Sequence, residues 1–189
     1  MLIVKDFFKN PKEIRDYALS LEYFDKNNHP NNIGGFPGHR TQYLNDINYN
    51  LYYQICQKFY AIARKILKIS DFHQKYDRWM TQFSFSYTKN GDQLFKHKDF
   101  EYGFQDFNQY LAGVVYLTPN PPINSGTKLY FDENNVKVSE NIFNNGVFYD
   151  SHIDHEPEDN FGEKKEDARM VLTTFLFLKT KWEKILKKY

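Results

Sequence analysis

The chain has 189 residues, 41% hydrophobic and 19% aromatic, which suits one compact domain whose core draws heavily on 18 Phe and 15 Tyr. Its 25 Lys and Arg balance 24 Asp and Glu, which removes any global electrostatic case for a nucleic-acid or membrane partner. Cys56 is the single cysteine, so an internal disulfide and a thiolate zinc cluster are excluded, and a reducing, cytoplasmic setting is the expected location.

Residues 2 to 8 read as an opening strand; charge arrives at Lys5 and Asp6, so the apolar run is too short for a signal peptide or a span. Asn10-Pro11 sets up a helix to about residue 22, with Asn10 as cap, Pro11 at the first helical position and Glu13 in the first turn. Residues Asp25 to Thr41, rich in Asn, Gly, Pro and His, read as a long irregular loop. Leu51, Ile55, Phe59, Ile62, Ala63 and Ile66 form an apolar stripe that predicts a helix over 48–69. After residue 77 the period becomes two: Phe83, Phe85 and Tyr87 alternate with Gln82, Ser84 and Ser86. Leu111–Leu117, Lys128–Phe131, Asn145–Tyr149 and Met170–Lys179 are further strands, and Lys179–Tyr189 reads as a short basic helix. Two helices followed by many short strands predict an α+β domain in which a helical brace, about 10–70, supports a β-sandwich or barrel, about 78–179. No repeat or linker divides the chain, so 1–189 is expected to form a single domain.

The chemistry centres on His97-Lys-Asp99, which follows the Asn90-Gly91 turn. Residues two apart in extended backbone point to one side, so an imidazole and a carboxylate can converge on one ion. A second histidine from a distant strand completes a facial triad of two histidines and one carboxylate, which leaves coordination positions open for oxygen-activating chemistry at iron(II). Taken alone, His-x-Asp also describes a surface pair beside a turn. Downstream, Asn145–Tyr149 leads into a turn bearing His152 and His155, and Arg169 opens a strongly apolar strand. An arginine there is either an exposed charge at a strand edge or a fork that clamps a carboxylate inside the barrel. The company of His-x-Asp and a later histidine favours the clamp.

In order and spacing, His97-Lys-Asp99, Ala112-Gly-Val-Val-Tyr-Leu117, Ser125-Gly-Thr127, His155 and Arg169 resemble the iron(II)/2-oxoglutarate oxygenase superfamily, on its prolyl-hydroxylase-like side. Asn10, Pro11, Arg15, Ala18 and Leu19, with Phe36-Pro-Gly-His-Arg40, resemble an uncharacterised subgroup of it, and the likeness runs over roughly residues 3–178. The resemblance implies a double-stranded β-helix, a jelly-roll or cupin-like core braced by N-terminal helices. It implies that His97, Asp99 and His155 bind Fe(II) and serve catalysis, and that Arg169 holds the distal carboxylate of the co-substrate 2-oxoglutarate, with ascorbate as reductant. Tyr87 stands where the family often binds co-substrate. Val171 replaces a common Ser or Thr, which passes the second carboxylate contact to Tyr87 or Tyr116. His152 competes with His155 as the distal ligand, and the family's polar-Pro turn after the histidine favours His155.

The implied reaction is hydroxylation of an unidentified substrate, nominally a protein side chain, otherwise a small molecule, with 2-oxoglutarate converted to succinate. The alternatives are a non-catalytic jelly-roll metal- or ligand-binding protein and a metal-free interaction domain. Other residues carry plainer readings: His29 and His73 as surface residues, Trp79, Phe83 and Phe85 as core, and His39 and Arg40 as either pocket mouth or solvated loop. Phe100, Tyr102, Phe104, Phe107 and Tyr110 read equally as an aromatic wall over the site and as packing.

Overall fold

The structure, a computed structural model, describes residues 1–31, 35–67, 76–99 and 108–180. The terminal helix expected over 179–189 and the aromatic series at 100–107 therefore lie outside the described residues apart from Lys179 and Thr180, as does His73. Strand β1 (Leu2–Val4) leads to helix α1 (Pro11–Ser20), which begins at Pro11 as expected. Asn10 does not cap it through its side chain; its Nδ2 donates instead to Glu13 Oε2 at 3.1 Å. A two-residue strand β2 (His39–Arg40) interrupts the region read as loop, and a single turn α2 (Leu44–Ile47) follows it. Helix α3 (Tyr49–Ile66) follows, and here the cap is real: Asn48 Oδ1 accepts from the Leu51 amide at 3.0 Å.

Seven further strands complete the six-stranded and three-stranded sheets: β3 (Tyr76–Thr88), β4 (Asn108–Tyr116), β5 (Thr127–Asp132), β6 (Asn135–Ser139), β7 (Gly146–Asp150), β8 (Asp154–Pro157) and β9 (Arg169–Thr180). The large sheet runs β1-β7-β4-β9-β3-β2 and the small one β6-β5-β8, with every pairing antiparallel. Two facing antiparallel sheets in this order are a double-stranded β-helix, here with helices on one side, so the fold is α+β.

Alternation assigns the two faces of the large sheet. Phe83 and Phe85 of β3, Met170, Leu172, Leu176 and Leu178 of β9, and Phe148 of β7 face the helices and bury against Leu51, Ile55, Phe59 and Ile62 of α3. Phe59 anchors that contact, its ring centroid 5.5 Å from Phe83 and 5.8 Å from Phe148. The opposite face carries Ser84 and Ser86 of β3, Ala112 and Tyr116 of β4, Val147 and Tyr149 of β7, and Arg169, Val171 and Thr173 of β9; several of these form a second, smaller core with Leu129 of β5. The polar face of β3 is thus turned into the space between the sheets rather than to solvent. Two readings of the sequence are corrected. Trp79 is 39% exposed, leaning on Tyr60 near the open end of β3. His29 is buried, bonded through Nε2 to the Thr41 carbonyl at 3.0 Å and held edge-on between Phe24 and Phe36. Its environment is apolar and fully partnered, which makes it a structural histidine.

Candidate metal centre

His97 lies alongside β8 in an isolated antiparallel bridge with His155. The two residues exchange both backbone hydrogen bonds, 3.0 Å from the His97 amide to His155 O and 2.9 Å in the reverse direction. Directly opposed residues of an antiparallel pair project to the same face, so the imidazoles arrive together, ring centroids 4.3 Å apart. His155 therefore sits on a short strand, where the sequence suggested a turn. Asp99, two residues past His97, turns its carboxylate between them: Oδ1 lies 3.6 Å from His97 Nε2 and Oδ2 lies 3.3 Å from His155 Nε2. One ligand atom from each of the three residues falls within 4.8 Å of the others.

Each imidazole is oriented in the same way. Its Nδ1 bonds the carbonyl two residues earlier, Phe95 O at 3.0 Å for His97 and Ile153 O at 3.1 Å for His155. In the neutral ring this places the proton on Nδ1 and leaves the Nε2 lone pair facing Asp99, the tautomer a metal ligand requires. Burial works against protonating His97, but contact with Asp99 and its charge outweigh burial and hold its pKa above the usual imidazole value. For deeper-set His155 burial wins and the pKa falls, in spite of Asp99. Asp99 is itself buried, with no lysine or arginine in ion-pair contact among the described residues. A buried carboxylate facing two imidazole lone pairs is a costly arrangement without a cation, and the donor set fits a divalent one.

The triad opens on a cavity of about 80 Å³ between the sheets, lined also by Ser86, Tyr149, Thr127, Val171, Thr173 and Arg169. Arg169, at the start of β9, is 4% exposed. Its Nε donates to Ser125 O at 3.0 Å, and Nη2 donates to Gly126 O at 3.2 Å and to Thr127 Oγ1 at 3.0 Å. The Ser125-Gly126-Thr127 turn thus holds one edge of the guanidinium, and Nη1 has no acceptor among the described residues. No carboxylate pairs with Arg169 there either, and burial lowers its pKa from the usual arginine value. A buried cation without an anionic partner, in a cavity, is a place for a ligand's negative charge.

The remaining expected residues fall out differently. His152 stays on the exposed turn, bonded through Nδ1 to Asp150 Oδ1 at 2.6 Å, and does not join the cluster. Tyr87 borders the cavity, but its ring leaves β3 on the helix side with Phe83 and Phe85, stacked on His39 at 4.7 Å and edge-on to Tyr23 at 5.0 Å. Its phenol pKa is raised by burial and by Asp92 and Glu166, none of which belongs to the triad. The Tyr87 ring thus packs with the helix-side aromatics, as strand alternation requires. Tyr116 does point inward, yet its hydroxyl is taken by Thr127 Oγ1 at 2.8 Å and Ser139, while Arg169 Cζ lies 5.6 Å from its ring centroid. It props Arg169 and Thr127 from behind.

No protein-family model and no curated protein sequence matches the chain. Solved structures do. A prolyl-4-hydroxylase from Pseudomonas putida superposes with a TM-score of 0.59 at 12% identity, over 94% of this chain and 91% of that one. A prolyl hydroxylase from Trichoplax adhaerens, in complex with a hypoxia inducible factor oxygen degradation domain peptide, gives 0.60 at 18% identity, over 98% and 86%. HygX from Streptomyces hygroscopicus, with nickel, 2-oxoglutarate and hygromycin B bound, gives 0.63 at 11% identity, over 94% and 82%. The fold is that of the prolyl-hydroxylase-like 2-oxoglutarate/iron(II) oxygenases.

Within this oxygenase fold two cavity residues escaped the reading of the sequence or were left open by it. Tyr149 is 2% exposed, packs its ring 4.8 Å from His155 and lines the cavity. Burial, reinforced by Asp99 and Tyr116, pushes its phenol pKa well up, so it stays a hydrogen-bond donor. The signal was present in the alternation of Val147 and Tyr149 against Phe148, once the helix-facing side is known. Arg40 lines the same cavity from β2, which a two-residue strand in a Gly- and Pro-rich stretch does not announce.

Proposed function

We propose that the protein is an iron(II)- and 2-oxoglutarate-dependent oxygenase that hydroxylates a C–H bond of its substrate. His97, Asp99 and His155 would hold the iron, which when bound supplies the oxidising chemistry that couples dioxygen to decarboxylation of 2-oxoglutarate and to hydroxylation. The observation that carries this reading is the shared cavity: two imidazoles in the ligand tautomer, one carboxylate, and a buried guanidinium without an anionic partner. Arg169 would take the distal carboxylate through Nη1, while Ser125, Gly126 and Thr127 keep its other edge fixed. Tyr149, in place of Tyr87 or Tyr116, is positioned to donate the second hydrogen bond, which answers the loss of a hydroxyl at Val171. The two backbone bonds to Nδ1 fix the tautomer and orientation of both histidines, and the inter-sheet core around Val147, Leu129 and Val171 keeps the inner cavity wall apolar.

A jelly roll that bound metal without redox chemistry would have no need for a buried arginine beside the triad. The solved relatives, two prolyl hydroxylases and HygX, act within the same fold and support the oxygenase reading; the peptide bound to the Trichoplax protein makes a protein side chain one class of substrate to test. The test is the thermal shift on adding 2-oxoglutarate to protein loaded with Mn(II), followed by succinate release with Fe(II), ascorbate and dioxygen. Metal-dependent 2-oxoglutarate binding, lost in Arg169→Ala, is expected; its absence from the wild type sinks the proposal.

A further inference from the structure

The motif Phe36-Pro37-Gly38-His39-Arg40 is not accounted for by the metal centre, and the structure shows what it builds. Gly38 has φ +66°, and a Cβ there would stand 2.3 Å from Tyr87 O. The strap therefore lies against the edge of β3 at a distance only glycine permits. Beyond it, β2 pairs His39 with Tyr87 and Arg40 with Ser86. Paired residues share a face, so His39 stacks outside on Tyr87 and Arg40 enters the cavity.

Inside, Arg40 Nε donates to Ser86 Oγ at 3.1 Å. The guanidinium lies over the Phe36 ring at 4.6 Å and reaches toward Phe175, 5.8 Å away. It is close enough to the triad to act electrostatically on both Asp99 and His97. Its Nη1 and Nη2 have no hydrogen-bond acceptor, and no carboxylate pairs with it, among the described residues. Ser86, Phe36 and the β2 backbone hold one side of the fork, and the other side is left for a ligand.

The charges lining the cavity decide which ligand. Among the described residues they are Arg40, Arg169 and Asp99, two cations against one anion. A divalent metal and the dianionic co-substrate cancel each other, so a single positive charge remains. Arg169 is assigned to the co-substrate, which leaves Arg40. A lone residual charge matches a carboxylate better than a phosphate ester, whose charge approaches about −2 at neutral pH. The planar edge of a guanidinium also accepts a carboxylate in two parallel hydrogen bonds.

Resting on the oxygenase reading above, we propose that Arg40 binds a carboxylate of the substrate. That carboxylate belongs either to a free amino acid or to an Asp or Glu side chain. The experiment uses full-length protein loaded with Mn(II) and saturated with an inert 2-oxoglutarate analogue, so that Arg169 is occupied. The first arm measures binding of free L-amino acids against their primary amides. The second measures capped aspartate and glutamate against capped asparagine and glutamine. In at least one arm the acid is expected to bind about tenfold or more tightly than its amide, the worth of a charge-assisted pair. The preference vanishes in Arg40→Gln and survives weakened in Arg40→Lys, while both variants bind the analogue as the wild type does. Which arm responds identifies the source of the carboxylate. Equal binding of acids and amides in both arms overturns the proposal, as does a preference that persists in Arg40→Gln. Failure of the wild type to bind the analogue at all overturns the oxygenase reading instead, and this inference with it.

Discussion

Replacing Gly38 by Ala, with Gly91→Ala as its partner, isolates how firmly the strap that carries Arg40 is seated. Both glycines have positive φ, +66° and +85°, so an alanine at either pays the left-handed cost of about 1–2 kcal/mol. At Gly91 nothing lies within 4 Å of the added Cβ, so that cost is the whole effect. At Gly38 the Cβ would meet Tyr87 O at 2.3 Å and Thr88 Cγ2 at 2.8 Å. The first of these is backbone of β3 held between two neighbouring strands, paired with Met170 of β9 on one side and His39 of β2 on the other, and has little room to retreat. The strap must lift by about 1 Å, which breaks the Arg40–Ser86 bond and disturbs the Thr41 amide's bond to Phe85 O. Adding about 1 kcal/mol for each bond brings the total to about 3–4 kcal/mol. For a chain of this size the melting temperature should fall by about 2–8 °C in Gly91→Ala and by about 6–16 °C in Gly38→Ala. Urea unfolding and thermal melts of the two variants measure the difference. Equal losses would refute the close approach of the strap to β3, and with it the fixed placement of Arg40.

His155→Ala should abolish the metal-induced rise in melting temperature, about 2.7 kcal/mol of stabilisation at a hundredfold excess over Kd, whereas His152→Ala should leave it intact. Arg169→Lys keeps the charge but loses the fork that Ser125, Gly126 and Thr127 hold; titration calorimetry should show 2-oxoglutarate affinity down by about 10- to 100-fold with metal binding retained. Metal affinity should fall as pH is lowered, because each imidazole must be neutral to bind. His97, with its pKa raised above 6.5, begins to compete with the metal first, and His155, with its pKa lowered, adds a second proton only at lower pH, so the slope of log affinity against pH should steepen from one to two. Phe59→Ala empties the contact of α3 with Phe83 and Phe148 and should cost about 3–5 kcal/mol in equilibrium unfolding while leaving the triad's ligands in place.

Much of this architecture is legible along the chain because it is local. The apolar stripe of α3 repeats every three to four residues, and Phe83 and Phe85 alternate with serines, so helix and strand follow from periodicity alone. The pairing of His97 with Asp99 is legible for the same reason, since the two stand only two residues apart. The weaker readings fail where short elements depend on distant partners. Strand β2 exists only because the Gly38 strap lies along β3, and β8 only because β5 and His97 flank it. Neither has an internal pattern long enough to register.

The sequence alone therefore determines the residue types of the site, their order, and the class of fold that could unite them. Which histidine meets Asp99 is a tertiary decision: the backbone bridge at His155 puts it opposite His97, while three residues earlier His152 remains on the turn. Which tyrosine turns its ring toward His155 likewise follows from the face of the sheet, since the ring of Tyr87 leaves with the helix-side aromatics and that of Tyr149 does not. The same holds for Arg40, whose direction follows from pairing with Ser86 across a strand edge. A side chain's chemistry is written in the chain, but its direction is set by which neighbour its backbone bonds, and those neighbours here lie tens of residues away.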